Sequence, residues 1–346
     1  MSKTAVIADV HLSGFQTDSP DSSNLPKRLG TIISSVKYVL DYCKQHDINR
    51  LEIAGDLIHD KSVIYTEALT AFSECLMKNS HDNLHIFMIP GNHDMSSTGH
   101  TQRSAVEVFK SFPNVTVITN PVCLNGRFYL PWSHSIYEDL KNYSSHERIL
   151  ISHFGLNEAR LQSGLSVKTH VTMKELSKFE LVILGHYHLP QHISNERTNL
   201  YYTGSVCHRD WNDKGEQKRF LVYDDSDLSV ESVPFIGFPE YKEFVIDKKE
   251  DIPNIVKLAE KAKQEGHTIR IKKNIQDSEP ISINDVQIIE KKEDVDITNR
   301  GVSVTQTDSE KIDKYIEIKK VDPQNRSKYI EYLSRNNIMT NLQEAR

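Results

Sequence analysis

The chain has 346 residues, of which 38% are hydrophobic and 26% charged, enough for a sizeable core and a second, smaller unit. No apolar run reaches the roughly 18 residues of a membrane span, and four scattered cysteines without a Cys-x-x-Cys pair predict buried thiols in a reducing cytoplasm, with no secretory signal, disulfide framework or membrane partner. The net charge of −6 argues against a chain that grips nucleic acid mainly through its own basic surface, unless metal ions or a partner supply positive charge.

The first 235 residues alternate between helical and strand patterns. Helical periodicity falls in four segments, at 29–45, 66–79, 101–111 and 136–143. Short apolar runs lie between these segments, and this alternation predicts an α/β layered sandwich. After residue 188 the pattern changes to strands separated by turns, at 200–203, 219–223 and 229–235.

A joint at Gly237-Phe238-Pro239 separates this region from a small α+β pattern. Strand signals at 242–246 and 268–271 flank an amphipathic helix at 252–264 that ends at Gly266. The chain is therefore predicted to have three parts, at 1–236, 237–292 and 293–346.

The third part begins with a polar stretch at 293–309, which is typical of a flexible linker. Two short amphipathic segments follow, at 312–318 and 329–333. Helices this short are marginal alone and need a surface to pack against. Either they fold back onto the 237–292 unit, or they dock on a partner protein such as a coiled coil.

Five short apolar runs end in Asp, Asn or His side chains. The five motifs are Asp9-Val10-His11, Gly55-Asp56, Gly91-Asn92-His93-Asp94, Ser152-His153 and Gly185-His186-Tyr187-His188. One such histidine is more often a satisfied core residue, but repeated strand ends of this kind predict a metal site at one edge of a sheet. The glycines before Asp56, Asn92 and His186 suit close backbone approach there.

In order and spelling, these motifs resemble those of the calcineurin-like metallophosphoesterases, over roughly residues 4–235. The Gly-Asp-Leu-Ile-His and Tyr-Thr-Gly-Ser motifs, together with the long C-terminal extension, are most similar to the SbcD group. These are nuclease subunits of DNA-repair complexes that work with an SMC-like ATPase, and bacteriophages carry versions of them. The resemblance implies a four-layer α/β/β/α sandwich whose mixed second sheet includes the strands after residue 188. It also implies a DNA-end-selecting cap at 237–292 and an ATPase-docking tail.

The same resemblance assigns seven ligands to two divalent ions. One ion is held by Asp9, His11 and His188, the other by Asn92, His153 and His186, and the two are bridged by Asp56. Two such ions about 3.5–4 Å apart clamp phosphate oxygens and activate water at neutral pH. Mn²⁺ suits this mixed nitrogen and oxygen ligand set, with Mg²⁺ as the alternative. Two carboxylates leave the pair of ions positive, so the centre attracts a phosphodiester.

Other residues are predicted to act on the substrate. The resemblance gives His93 the task of stabilising the transition state and protonating the leaving oxygen, with Asp94 orienting its imidazole. His59 either contacts phosphate, steadies His93 or is a plain loop histidine. Further candidates for substrate contact, with packing as the alternative, are Tyr187, His208 and Arg209.

Three functions remain open on the sequence alone. The resemblance favours the nuclease subunit of an SbcCD-like complex, acting as an exonuclease on duplex DNA and an endonuclease on single strands. ATP would enter only through the partner, because the chain lacks a Gly-x-x-x-x-Gly-Lys-Ser/Thr motif. The alternatives are a small-molecule phosphatase or cyclic-nucleotide phosphodiesterase, which has little use for a docking tail, and a silent scaffold, which has little use for a complete ligand set. A homodimer through 66–79 and 101–111 is a further expectation.

Overall fold

A computed structural model describes residues 3–290 except 16–17, 22–23, 62, 97–102, 145, 162, 276–280, 282 and 285. The predicted linker and tail at 293–346 therefore lie outside the described residues. Within the described part of the chain, no helix has the length and apolar character needed to cross a bilayer.

The described residues form strands that pair into three sheets. In chain order the strands are β1 (Lys3–Ile7), β2 (Arg50–Ala54), β3 (His85–Ile89), β4 (Val115–Val117), β5 (Val122–Leu124), β6 (Arg127–Leu130), β7 (Ile149–His153), β8 (Leu181–Gly185), β9 (Gln191–Ser194), β10 (Asn199–Tyr202), β11 (Arg219–Asp224), β12 (Val230–Pro234), β13 (Tyr241–Ile246), β14 (Thr268–Lys273) and β15 (Gln287–Glu290). The helices are α1 (Lys27–Gln45), α2 (Thr66–Asn79), α3 (Ile136–Asn142), α4 (Met173–Leu176) and α5 (Ile252–Gln264). Short 3₁₀ turns lie at Ala105–Ser111, Trp211–Asp213 and Lys249–Asp251.

The first two sheets have six strands each. The first runs in the order β12-β11-β1-β2-β3-β4, with β1 to β4 parallel and β11 and β12 antiparallel. The second runs in the order β5-β6-β7-β8-β10-β9, with antiparallel strands at both edges. The expectation that all strands after residue 188 belong to the second sheet is wrong for β11 and β12. They return to the first sheet because β11 pairs with the exposed edge of β1, a long-range pairing that strand patterns do not encode.

Alternation along the strands sorts side chains into three apolar layers. Ala5 and Ile7 of β1 pack against α1 and α2 on the outer face, whereas Val6 faces the second sheet. In the second sheet Leu150 packs toward α3 and α4, and Ile151 packs toward the first sheet. Each of these buried aliphatic side chains contributes about 1.5–3 kcal/mol. The order of layers is helix, sheet, sheet, helix, so the predicted α/β/β/α sandwich is confirmed.

A buried charge pair joins the two sheets away from the strand ends that carry the motifs. Nε of Arg127, which begins β6, lies 3.1 Å from Oε1 of Glu52 on β2, and both side chains are almost fully buried. Tyr129 and Tyr223 add hydroxyl contacts to the same carboxylate. This pair aligns the two sheets, because leaving either charge alone in the interior would be costly.

The third sheet is a small parallel one, β13-β14-β15, covered by α5. Ile246, Ile269 and Ile271 form its core with Ala259 and Ala262 of the helix. The predicted strand, helix and strand at 242–271 match β13, α5 and β14. The predicted helix at 101–111 is shorter, since only the 3₁₀ turn Ala105–Ser111 is present among the described residues. The unit containing this third sheet is called the β13–β15 unit below.

Candidate metal centre

The five motifs meet at one edge of the sandwich. Strands β1, β2 and β3 of the first sheet are parallel, as are β7 and β8 of the second, so their carboxyl ends lie together within each sheet. The two edges also meet each other: Nδ1 of His153 on β7 lies 2.8 Å from the carbonyl oxygen of Ala54 on β2. Side chains far apart in the sequence thereby share one buried space.

The first group of donors is formed by Asp9, His11 and His188, whose ligand atoms cluster closely. Nε2 of His11 lies 3.7 Å from Oδ1 of Asp9 and 3.1 Å from Nε2 of His188. Two facing imidazole nitrogens can share only one proton, whereas a divalent cation accepts both lone pairs. This donor set fits a divalent metal ion.

The second group of donors is formed around Asn92. Its Oδ1 lies 3.0 Å from Nδ1 of His186 and 3.2 Å from Nε2 of His153. Because the Ala54 carbonyl can only accept, it fixes the proton of His153 on Nδ1 and leaves Nε2 for a ligand bond. Asn92, His153 and His186 therefore present one oxygen and two nitrogens to a common point.

Asp56 lies between the two groups. Its Oδ2 is 3.7 Å from Nε2 of His11 and 3.3 Å from Nε2 of His153, one residue from each group. Its Oδ1 accepts the backbone N–H of His93 at 2.8 Å. A carboxylate in this position can be shared by two ions, as the predicted bridging role requires.

The protonation states also suit a metal site. Burial lowers the pKa of His186 to about 4 and that of His188 to about 3, so both imidazoles are neutral with free lone pairs. For His153, burial would lower the pKa, but the adjacent Asp56 carboxylate outweighs it and raises the pKa to about 9. The metal-free pair of His153 and Asp56 is thus an ion pair, in which a proton takes the place that a cation would fill.

Four of the candidate ligands lie in the left-handed region of backbone space. Their φ angles are 53° for Asp9, 53° for His11, 52° for Asp56 and 102° for His186. Residues other than glycine rarely adopt such angles, at a cost of about 1–3 kcal/mol each. The neighbouring glycine at 91 meets the predicted close approach, because a Cβ there would lie 2.2 Å from Oδ1 of Asp56. The backbone at this edge is shaped for the site at the expense of local stability.

His93 lies beside the first group, with its ring centroid 5.0 Å from that of His11. Its Nδ1 is 2.5 Å from the carbonyl oxygen of His59, so Nδ1 carries the hydrogen and Nε2 is left for the substrate side. The rings of His59 and His93 are nearly parallel. Of the roles considered for His59, steadying His93 agrees with this contact, which is made by its backbone.

The prediction that Asp94 orients the His93 imidazole is wrong. Among the described residues, the buried Asp94 carboxylate accepts backbone N–H groups of Leu57, Ile58 and Gly91. Successive side chains of this tight turn point in different directions, and that of Asp94 points into the loop. Its place is structural, since it ties the loop after β2 to the loop after β3.

The three candidates for substrate contact differ in position. Arg209 reaches the site: Nη1 lies 3.0 Å from Nε2 of His188, and Nη2 lies 2.9 Å from Nδ1 of His59. Tyr187 does not, because the alternation that aims His186 and His188 at the metals turns Tyr187 into the outer core against Tyr202. The substrate-contact hypothesis for Tyr187 is therefore replaced by packing.

His208 is also committed elsewhere. Its Nε2 donates to the carbonyl of Glu216 at 2.8 Å, and its Nδ1 accepts the backbone N–H of Tyr241 at 3.2 Å. Both ring nitrogens are used by the backbone, so the substrate-contact hypothesis for His208 is wrong. The ring instead connects the loop after β10 with the first residue of β13.

Two residues near the site were missed from the sequence, Asp213 and Lys218. Both are buried and paired at 2.7 Å, and Lys218 Nζ also donates to the carbonyl oxygen of His188 at 3.0 Å. The segment that contains them reads as an exposed polar turn, with charged residues around Gly215. No sequence signal separates these two charges from their exposed neighbours.

The sandwich and its edge of mixed Asp, Asn and His donors define a metal-dependent phosphoesterase. Residues 2–190 match the family model of the calcineurin-like phosphoesterases, and the chain belongs to that family. The predicted resemblance is confirmed, and the protein is a hydrolase that acts on ester bonds.

Relatives of this chain include a curated protein and solved structures. The chain is 22% identical to the SbcD subunit of nuclease SbcCD from Staphylococcus epidermidis, over 70% of this chain and 73% of that protein. It is similar to a dimetal phosphatase from Danio rerio, with 10% identity, a TM-score of 0.43, and coverage of 67% of this chain and 96% of that one. It is also similar to an archaeal phosphodiesterase, with 10% identity, a TM-score of 0.35, and coverage of 67% and 99%.

Proposed function

We propose that this chain is the DNA nuclease subunit of an SbcCD-like repair or recombination complex, dependent on two divalent ions, most suitably Mn²⁺. The observation that carries the proposal is the position of Asp56, whose Oδ2 lies between the donor groups of His11 and His153. The name of the Staphylococcus epidermidis relative supports DNA as the substrate and an ATPase subunit as the partner. The proposed activities are exonuclease action on duplex DNA and endonuclease action on single strands.

Bound ions would lower the pKa of a water molecule and neutralise charge on the phosphate. The protein's own residues supply the rest. His93 holds a hydrogen on Nδ1 through the His59 carbonyl, so its Nε2 is the atom that gives a proton to the leaving sugar oxygen. Arg209 presents two N–H groups beside the first donor group and binds a phosphate oxygen once substrate enters.

The net charge of −6 makes a partner necessary for tight DNA binding in this proposal. The metal centre attracts one phosphate, while the ATPase subunit supplies the extended basic surface. We assign docking on that subunit to residues 293–346, and selection of DNA ends to the β13–β15 unit. The proposed assembly is a homodimer of this chain with two ATPase subunits, acting in the cytoplasm, of the host cell if the gene is carried by a phage.

The test is hydrolysis of end-labelled linear duplex DNA by the purified chain with Mn²⁺. A chromogenic phosphodiester is assayed beside it, and the His93→Ala variant beside the unchanged chain. His146→Ala is the matched control, because His146 is exposed and precedes β7 at the end opposite the metal centre. We expect the DNA to shorten with the unchanged chain and the control, and a large loss with His93→Ala while metal binding is retained.

Cleavage of the small phosphodiester alone, even with the ATPase subunit added, would contradict the nuclease proposal and favour a small-molecule phosphodiesterase. Absence of turnover on either substrate, with two ions bound, would leave the scaffold alternative. The ATPase subunit is therefore included as a separate arm of the assay. Truncation at residue 292 tests the docking assignment, because it removes binding of that subunit and leaves hydrolysis of the small substrate intact.

A further inference from the structure

The loop from Cys207 to Lys218 contains a buried ion pair that belongs to neither donor group. Nζ of Lys218 lies 2.7 Å from Oδ1 of Asp213, and both side chains are at most 3% exposed. The Lys218 ammonium has three hydrogens and three acceptors, namely Asp213, the Glu216 carboxylate at 2.7 Å and the carbonyl oxygen of His188 at 3.0 Å. A charge buried at this cost, with every hydrogen assigned, points to a defined geometric task.

The first part of that task concerns His188. Its side chain is 26% exposed, against 0% for Asp9 and 1% for His11 in the same donor group. Side-chain packing therefore holds His188 least firmly of the three. Its backbone carbonyl compensates by accepting from both Lys218 Nζ and the backbone N–H of Ser205 at 3.2 Å. Lys218 thus fixes the main chain from which the most exposed ligand projects.

The second part concerns Arg209. Oδ2 of Asp213, the oxygen that does not face Lys218, accepts the backbone N–H of Arg209 at 2.6 Å and that of Asp210 at 3.2 Å. The Arg209 guanidinium then extends to Nε2 of His188. The two ends of one ion pair therefore hold a metal ligand and the arginine that lies against it.

The same loop is attached to the β13–β15 unit. His208 accepts the backbone N–H of Tyr241, Trp211 meets Tyr241 edge to face, and the Arg270 guanidinium lies 4.1 Å from the Trp211 ring centroid. Tyr241 begins β13 and Arg270 lies on β14. The loop is thereby held on one side by the metal centre and on the other by this unit.

We propose that Lys218, paired with Asp213, is a positioning residue that fixes the ligand His188 and Arg209 relative to each other. This inference rests on the two-metal centre of the proposed function, but it does not depend on which phosphodiester is cleaved. Lys218 lies outside the ligand sphere, so its loss leaves all seven donors chemically intact. Loss of an outer partner of this kind typically weakens metal binding about 10–100-fold.

The experiment is a Mn²⁺ titration of the full-length chain, following free Mn²⁺ by electron paramagnetic resonance, together with thermal melting. The variants are Lys218→Met and the milder Asp213→Asn, which keeps the shape of the side chain. Arg127→Met is the matched control, since Arg127 is equally buried and paired with Glu52 but lies at the amino-terminal end of β6. We expect about 10–100-fold weaker binding of one of the two ions in Lys218→Met and the same direction in Asp213→Asn. In Arg127→Met we expect a lower melting temperature with both affinities unchanged.

Arg209→Ala supplies the second readout, because it is expected to raise KM for the phosphodiester while both Mn²⁺ affinities stay at the level of the unchanged chain. Lys218→Met is expected to alter both quantities. Wild-type Mn²⁺ affinities in Lys218→Met would overturn the positioning role, and if that variant does not fold, Asp213→Asn decides by the same criterion. Failure of the unchanged chain to bind two ions would instead contradict the proposed function itself.

Discussion

The backbone carbonyl of His59 holds the imidazole of His93, at 2.5 Å from its Nδ1. The contact fixes one tautomer of His93 without using the His59 side chain. The loop that follows β2 thus sets the acid that the loop following β3 contributes. Substitutions at the two positions should consequently have unequal effects.

His59→Ala keeps the carbonyl and removes only the ring, so we expect turnover within about tenfold of the unchanged chain. His93→Ala removes the proton donor, for which general acid catalysis predicts a loss of about 10²–10⁴-fold in turnover. The measurement is kcat on a chromogenic phosphodiester at saturating Mn²⁺. Equal losses in the two variants would show that the His59 ring, and not its carbonyl, carries the effect.

Asn92→Asp should separate metal affinity from substrate affinity. The added carboxylate lies among the donors of His153 and His186 and strengthens binding of a cation. It also reduces the positive charge that the loaded centre presents to a phosphodiester. We expect lower Kd for Mn²⁺ and higher KM, and a parallel change of both quantities would contradict the charge argument.

The backbone strain at His186 should be measurable as stability. Its φ of 102° is open to glycine but unfavourable for alanine. In the metal-free chain we therefore expect His186→Gly to have a free energy of unfolding about 1–2 kcal/mol above that of His186→Ala. Urea denaturation of both variants checks this difference, which compares two proteins that have lost the same ligand. A more stable alanine variant would remove the case for strain.

The stability of the metal-free chain should decrease at alkaline pH. Asp56 raises the pKa of the buried His153 from 6.5 to about 9, so the bound proton stabilises the fold fully below pH 6.5. That stabilisation, at most about 3 kcal/mol, is lost as the pH rises through 9. The measurement is urea denaturation between pH 6 and 9.5, with His153→Ala expected to show a flatter profile.

Metal binding should displace the same proton. Between pH 7 and 8 the His153 imidazole is charged in the metal-free chain, whereas a ligand bond requires its Nε2 lone pair. Calorimetric titrations with Mn²⁺ in buffers of different ionisation enthalpy should therefore report release of about one proton per chain. Zero release would mean that His153 is already neutral or does not bind the ion.

Local patterns carried most of the sandwich. The apolar runs before Asp9, Asp56, Asn92 and His153 each became a buried strand of four or five residues, because strand alternation and turn residues are short-range signals. The return of β11 to the edge of β1 escaped prediction. That pairing joins Val6 with Leu221, more than 200 residues apart, and nothing local to either strand specifies it.

The candidate site divides in the same way. Ligand types followed from the residues at strand ends, since each donor has a fixed chemistry. The errors concerned Asp94, Tyr187 and His208, whose chemistry was read correctly but whose side chains point into a loop, a core and a neighbouring strand. Direction depends on the backbone angles of tight turns and on partners from distant elements.

The sequence by itself determined the donor set, the strand order along the chain and the family, because these depend on residue identity and short-range periodicity. Only the tertiary structure decided that Asp56 lies between His11 and His153, and that Lys218 and Asp213 are buried beneath Arg209. Burial and distance arise from the packing of two sheets and a loop against each other. A lysine in a polar turn is indistinguishable from its exposed neighbours until that packing removes water from around it.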